Sequence, residues 1–268
     1  EMNSILNQLA GCDVVIFAGG LSPQLEGEEM PVQIPGFRGG DRETIELPMA
    51  QQRVLAALKK AGKRIVYVNY SGSAVALTEE AVPAEAILQA WYPGQAGGKA
   101  VADILMGDYN PSGRLPVTFY RSTADLPDFE DYNITTRTYR YFNGKALYPF
   151  GFGLSYTTFA YGEASVSKDG DALTLTVPVT NTGDRAGDEV VQVYLSNPAD
   201  KEGPKLALRD FRRVSIQPGE TQNITFCLTP EQLLWYDSNV GDLLPLKANP
   251  QILYGSSSDL KALKTARM

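Results

Sequence analysis

The strongest constraint on the fold is a change of hydrophobic period partway along the chain. Up to about residue 120, short apolar runs alternate with amphipathic helical segments. Beyond about residue 160, apolar residues recur at every second position. The first pattern predicts a parallel sheet with right-handed helical crossovers. The second predicts an antiparallel β-sandwich of roughly 100 residues. A chain of 268 residues carrying both reads as two domains.

In the first half, residues 1–12 read as a short helix closed by Gly11, followed by a buried strand over Asp13–Ala18. Residues 43–61 predict a helix with Leu47, Val54, Leu55 and Leu58 on one face. Glu43 and Glu46 would sit at its start, Lys59 and Lys60 at its end, and Gly62 would stop it. Further strands are expected at Arg64–Asn69, Ala86–Trp91 and Leu115–Phe119, with a helix over Gly97–Met106. Such a sheet usually has five or six strands, so four suggest a missing start. The domains are placed at 1–120, an aromatic-rich connector at 121–159, and the sandwich at 160–268.

Composition narrows the chemistry. The chain has no histidine, which removes imidazole acids, bases and metal ligands. Its two cysteines, Cys12 and Cys227, lie far apart in apolar contexts and read as buried free thiols. With 24 basic against 31 acidic residues, no basic surplus exists for a nucleic acid or an anionic membrane. No apolar run approaches the ~18 residues of a membrane span. Any catalysis therefore falls to carboxylates, Tyr, Lys or Arg.

The loop Gly19-Gly-Leu-Ser-Pro-Gln-Leu-Glu-Gly-Glu-Glu-Met30 leaves the C-terminal end of the first strand, where open α/β sheets bind ligands. It carries Glu26, Glu28 and Glu29 and is followed by Gly39-Gly-Asp-Arg42. Clustered carboxylates can keep one group protonated, as glycoside hydrolysis needs. The same residues also suit a solvated acidic loop or a divalent cation. Trp91-Tyr-Pro-Gly-Gln-Ala-Gly-Gly98 lacks a nucleotide-binding spacing. Its two aromatics suit packing more than stacking on a sugar.

Several motifs together resemble glycoside hydrolase family 3. They are Gln89-Ala-Trp-Tyr-Pro-Gly-Gln-Ala-Gly-Gly98, Ala102-Asp-Ile-Leu-Met-Gly-Asp-Tyr-Asn-Pro-Ser-Gly-Arg-Leu-Pro-Val-Thr-Phe119, Arg137-Thr-Tyr-Arg-Tyr141 and Tyr148-Pro-Phe-Gly-Phe-Gly-Leu-Ser-Tyr156. Val179-Thr-Asn-Thr-Gly183 and Gln217-Pro-Gly-Glu220 resemble that family's fibronectin-III-like module. The resemblance implies an α/β sandwich followed by a fibronectin-like domain, without the TIM-type barrel that supplies the aspartate nucleophile.

It also implies that Glu26 is the acid/base residue, with Glu28 as runner-up because the Glu-Gly-Glu pattern lets a match slip by two. Asp41 and Arg42 match a Gly-Asp-Arg element expected to brace the loop. The implied chemistry is retaining hydrolysis of β-linked gluco- or xylo-oligosaccharides, with no cofactor or metal. The nucleophile would come from the missing N-terminal barrel. Such enzymes are often periplasmic or secreted. A non-catalytic carbohydrate-binding or scaffold module is the alternative.

Overall fold

A computed structural model describes residues 2–27, 30–39, 41–237, 239–245 and 250–266. The chain divides into two compact units. One comprises Glu1–Asp103, Phe119–Leu126 and Gly144–Leu147; the other comprises Ile104–Thr118, Pro127–Asn143 and Tyr148–Met268.

The first unit opens with α1 (Met2–Gln8), β1 (Val14–Gly20) and the single-turn helix α2 (Pro23–Glu26). A small antiparallel sheet follows, built from β2 (Gln33–Ile34), β3 (Phe37–Arg38) and β4 (Asp41–Arg42). Next come α3 (Met49–Lys60), β5 (Arg64–Tyr70), β6 (Ala86–Gln89) and α4 (Gly97–Met106). Strands β1, β5 and β6 form a parallel sheet in that order. Leu55 and Leu58 of α3 are buried, as are Ile65 and Tyr67 of β5. This apolar layer holds α3 to the sheet, because each side chain removed from water contributes about 1.5–3 kcal/mol.

Three expectations are corrected here. The helix expected over 43–61 starts only at Met49, because Pro48 forces the residue before it out of helical backbone. Glu43 and Glu46 therefore lie outside its first turn, and Glu46 instead bridges Ala76 in an extended segment. The strand expected over Leu115–Phe119 does not join the sheet. Pro116 lacks a ladder donor. The flanking backbone pairs elsewhere: Leu115 exchanges bonds with Gly151 and Phe152, and Leu147 N–H donates to Phe119. β1 is not fully buried either: it is an edge strand, and Val14 and Ile16 on one face are exposed.

In the second unit, α5 (Thr138–Tyr141) precedes β7 (Phe159–Tyr161), β8 (Ser165–Asp169), β9 (Ala172–Asn181) and β10 (Gly187–Ser196). The remaining strands are β11 (Ala207–Ile216), β12 (Thr221–Leu228), β13 (Leu234–Asp237), β14 (Asp242–Pro245), β15 (Gln251–Gly255) and β16 (Lys264–Thr265). One sheet has the order β11-β10-β15-β16; the other has β12-β9-β7, with β8 also on β9. Leu175, Val177 and Val179, with Phe226 beside them, face Val191, Val193 and Tyr254 in one core. The period-2 reading thus holds. It also explains why Cys227 is exposed, against expectation: Phe226 and Leu228 point inward, so the residue between them points out. Cys12 is likewise exposed. Among the described residues, no helix is long and apolar enough to cross a membrane.

Candidate functional site

The site is assembled where three adjacent parallel strands end. The segments leaving β1, β5 and β6 carry Glu26, Ser73 and Tyr92 respectively. This is the sheet edge at which α/β folds place ligands.

The sequence shapes the first of these segments tightly. Ser22, in extended backbone, caps α2 by accepting a bond from Leu25 N–H at 3.1 Å, and Pro23 takes the first helical position. Gly27 ends the turn with φ +67°, a conformation that costs other residues about 1–2 kcal/mol. Its N–H donates back to Pro23 O. Glu26 is therefore the last residue of a capped turn, half-buried.

The Glu26 carboxylate accepts a 2.9 Å bond from the Tyr92 hydroxyl at Oε2. The Ser73 hydroxyl stands 3.5 Å from Oε1, a long contact. Arg42 Nη1 donates to Ser73 Oγ at 2.9 Å and to Ala74 O at 3.3 Å, which ties β4 to the turn after β5. Burial lowers the Arg42 guanidinium from its ordinary value, and the nearby Glu26 and Glu46 oppose that shift. Its Nε and Nη2 are buried and find no hydrogen-bond partner among the described residues. Asp41 is exposed in β4. Glu28, the runner-up, lies outside the described residues, as do Glu29 and Gly40. Among the described residues, Glu26 takes part in no ion pair. No cluster of three or more Cys, Asp or Glu suited to a metal occurs among them either.

A buried polar network supports the site from below. Asn69 and Ser71 are fully buried. Asn69 Nδ2 donates to Ser71 Oγ (3.0 Å) and to Gln89 Oε1 (2.6 Å), linking β5 to β6. Ser71 Oγ donates to Ser73 O at 2.8 Å, which fixes the turn bearing Ser73. Gln51 of α3 exchanges two bonds with Gly20 at the end of β1. An open cleft of about 430 Å³ runs beside this edge, along residues 17–22 with Leu25, Gln51 and Tyr70. Glu26 lies outside its lining.

On the far side of Arg42, Glu46 accepts from Thr123 N (2.8 Å) and Thr123 Oγ1 (2.6 Å). Burial pushes the Glu46 carboxyl up, but the Thr123 bonds, with those of its own backbone N–H and Thr44, together hold the group below its ordinary value. Thr123→Val is expected to cost about 1 kcal/mol at pH 7, since the carboxylate is partly solvated. Stability from a depressed carboxyl is present above its unfolded-state value and lost on protonation. The deficit should therefore shrink as pH falls through the acid range, checked by urea denaturation at pH 7 and pH 3.

Sequence reasoning missed Ser73 and Thr123, and it gave Tyr92 no role beside Glu26. Trp91, by contrast, does pack, edge-on against Phe119 with ring centroids 6.1 Å apart. The available signal was positional. Ser71-Gly-Ser73 and Trp91-Tyr92 both follow directly after parallel strands, as the acidic loop does. Trp91 has φ +56°, rare for a bulky residue and a strain often stored at functional sites.

The described residues thus form an α/β unit with a carboxylate at its strand ends and an antiparallel sandwich. The family model for the glycosyl hydrolase family 3 C-terminal domain matches residues 2–156, and a fibronectin type III-like domain matches residues 189–258. The chain belongs to glycoside hydrolase family 3. It is 53% identical over 266 residues to a xylan 1,4-β-xylosidase of Xylanibacter ruminicola, covering 98% of this chain and 31% of that protein. It is 40% identical to a periplasmic β-glucosidase of Salmonella typhimurium, covering 78% of this chain and 30% of that one. Among solved structures, a β-glucosidase of Erythrobacter marinus superposes with TM-score 0.80 at 35% identity, covering 100% of this chain and 36% of that one. The chain thus spans about a third of the length of these relatives.

Proposed function

We propose that residues 1–268 act as the C-terminal part of an exo-acting, retaining β-glycosidase, with Glu26 as its acid/base residue. The substrates are β-glucosides or β-xylosides. The nucleophile is an aspartate of a barrel domain outside this chain. The observation that supports this best is the half-exposed Glu26 carboxylate, free of any ion pair among the described residues and presented where three strand ends meet. A group so held can face a second domain and still exchange a proton.

In the first step the barrel aspartate attacks the anomeric carbon while Glu26 protonates the departing glycosidic oxygen. In the second, water attacks the anomeric carbon and gives a proton to the Glu26 carboxylate, while the barrel aspartate departs as its carboxylate. The two carboxyl groups are expected about 5–5.5 Å apart in the assembled site. Arg42 would brace the loop through Ser73 and would not react. The substrate class draws on the relatives, which are named as a β-xylosidase and β-glucosidases, one of them, from Listeria innocua, in a structure titled as a complex with glucose.

The test is turnover by the purified chain alone. With the acid/base but no nucleophile, it is expected to leave nitrophenyl β-xyloside and β-glucoside unhydrolysed. Turnover at rates typical of whole enzymes overturns the division of labour.

A further inference from the structure

We infer that Tyr92 is the positioning residue for the Glu26 carboxyl, fixing Oε2 and leaving Oε1 as the oxygen that carries the proton. The inference rests on the proposed acid/base role of Glu26.

A general acid works only when its proton sits on the oxygen that faces the leaving group. The 2.9 Å bond from Tyr92 occupies Oε2 with a donor. Burial, together with the bond and charge of Glu26, pushes the Tyr92 phenol up to about 12, so it stays protonated and donates throughout the neutral range. Whether Glu26 is charged or neutral, Oε2 therefore accepts, and a proton on Glu26 goes to Oε1. At Oε1 the partner among the described residues is the Ser73 hydroxyl, which donates only over a long 3.5 Å and competes weakly with a proton there. Among the described residues, the charged and titratable groups around the pair are Arg42, and Glu46 on its far side.

The backbone is built to hold the phenol there. Left-handed Trp91 turns the chain at the end of β6. A Cβ at Gly72 would lie 2.9 Å from Tyr92 Cε2, so a larger residue here would have to displace the ring. A tyrosine that merely packed would need neither its hydroxyl nor this approach.

Two measurements test the inference. The first uses the 268-residue chain labelled at tyrosine Cζ and read by NMR. Because coupling is reciprocal, Glu26→Gln is expected to lower the Tyr92 titration midpoint by roughly one unit. An unchanged midpoint overturns the inference. The second uses Tyr92→Phe in a polypeptide carrying these residues behind a family 3 barrel. Loss of the bond leaves the carboxyl free to turn its proton away from the leaving group, so kcat/KM for alkyl glycosides, which need that proton, should fall about tenfold while kcat/KM for activated nitrophenyl glycosides falls far less. An equal loss for both substrate classes, or no loss for either, overturns the inference. Failure of the Glu26 reading itself is seen separately: Glu26→Ala would then keep the alkaline limb, while the NMR coupling would survive.

Discussion

Glu26→Ala, made in a polypeptide that joins this chain to a family 3 barrel, is expected to lower kcat for alkyl glycosides and disaccharides by about 10²–10⁴-fold. An alkoxide leaves poorly without a proton, so these substrates feel the full loss. An activated nitrophenyl group leaves as a stable anion, so its glycosylation step should be slowed far less. The slow step then becomes hydrolysis of the glycosyl–enzyme, which lacks its base. Azide needs no base and should restore turnover, releasing a glycosyl azide of retained configuration. The alkaline limb of the pH profile should vanish with the carboxyl group. If Glu28→Ala shows this behaviour and Glu26→Ala does not, the acid/base residue lies two positions further on.

The second large effect concerns the sandwich, where Arg114 and Glu189 form a buried pair. Arg114 Nη2 lies 3.1 Å from Glu189 Oε2, with side chains 8% and 4% exposed. Tyr161 donates to Glu189 Oε1 at 3.1 Å, and Arg114 Nη1 donates to Ser112 O and Gly113 O. Arg114→Met strands the carboxylate in the interior and is expected to cost about 3–5 kcal/mol at pH 7. Burial already raises Glu189 above its ordinary value against the pull of Arg114. A raised carboxyl makes the folded state bind more protons than the unfolded one, so stability falls as pH rises. Removing Arg114 strengthens that trend, so the deficit should widen from pH 5 to pH 7 in urea denaturation. Arg114→Met combined with Glu189→Gln should recover more than half of it, since the amide still accepts from Tyr161 and carries no charge to desolvate. A double variant as unstable as the single one would show that shape, not charge, sets the cost.

How much of this was legible depends on the range of the interaction. Leu175, Val177 and Val179 announce a half-buried strand because the pleat has period two, and they line the core as read. Glycine-terminated α4 was equally plain, since its start and stop signals are local. The readings failed where a distant partner or a proline intervened. Pro48 cut six residues from the start of α3, and Pro116 kept Leu115–Phe119 out of the parallel sheet. Cys227 needed only the inward phase of Phe226 and Leu228 to be placed outside.

The sequence by itself determined the two classes of unit, the absence of imidazole chemistry, and the acidic loop after β1; the choice of Glu26 among its carboxylates came from the family resemblance. Those follow from periodicity, composition and short motifs, all of which act within a few residues. Only the tertiary structure decided what surrounds Glu26. Tyr92 is 66 positions away and Ser73 is 47. They meet it because parallel pairing brings the ends of β1, β5 and β6 to one edge. That pairing is stabilised by the apolar layer under α3 and by the Asn69–Ser71–Gln89 bonds, and no local pattern encodes it.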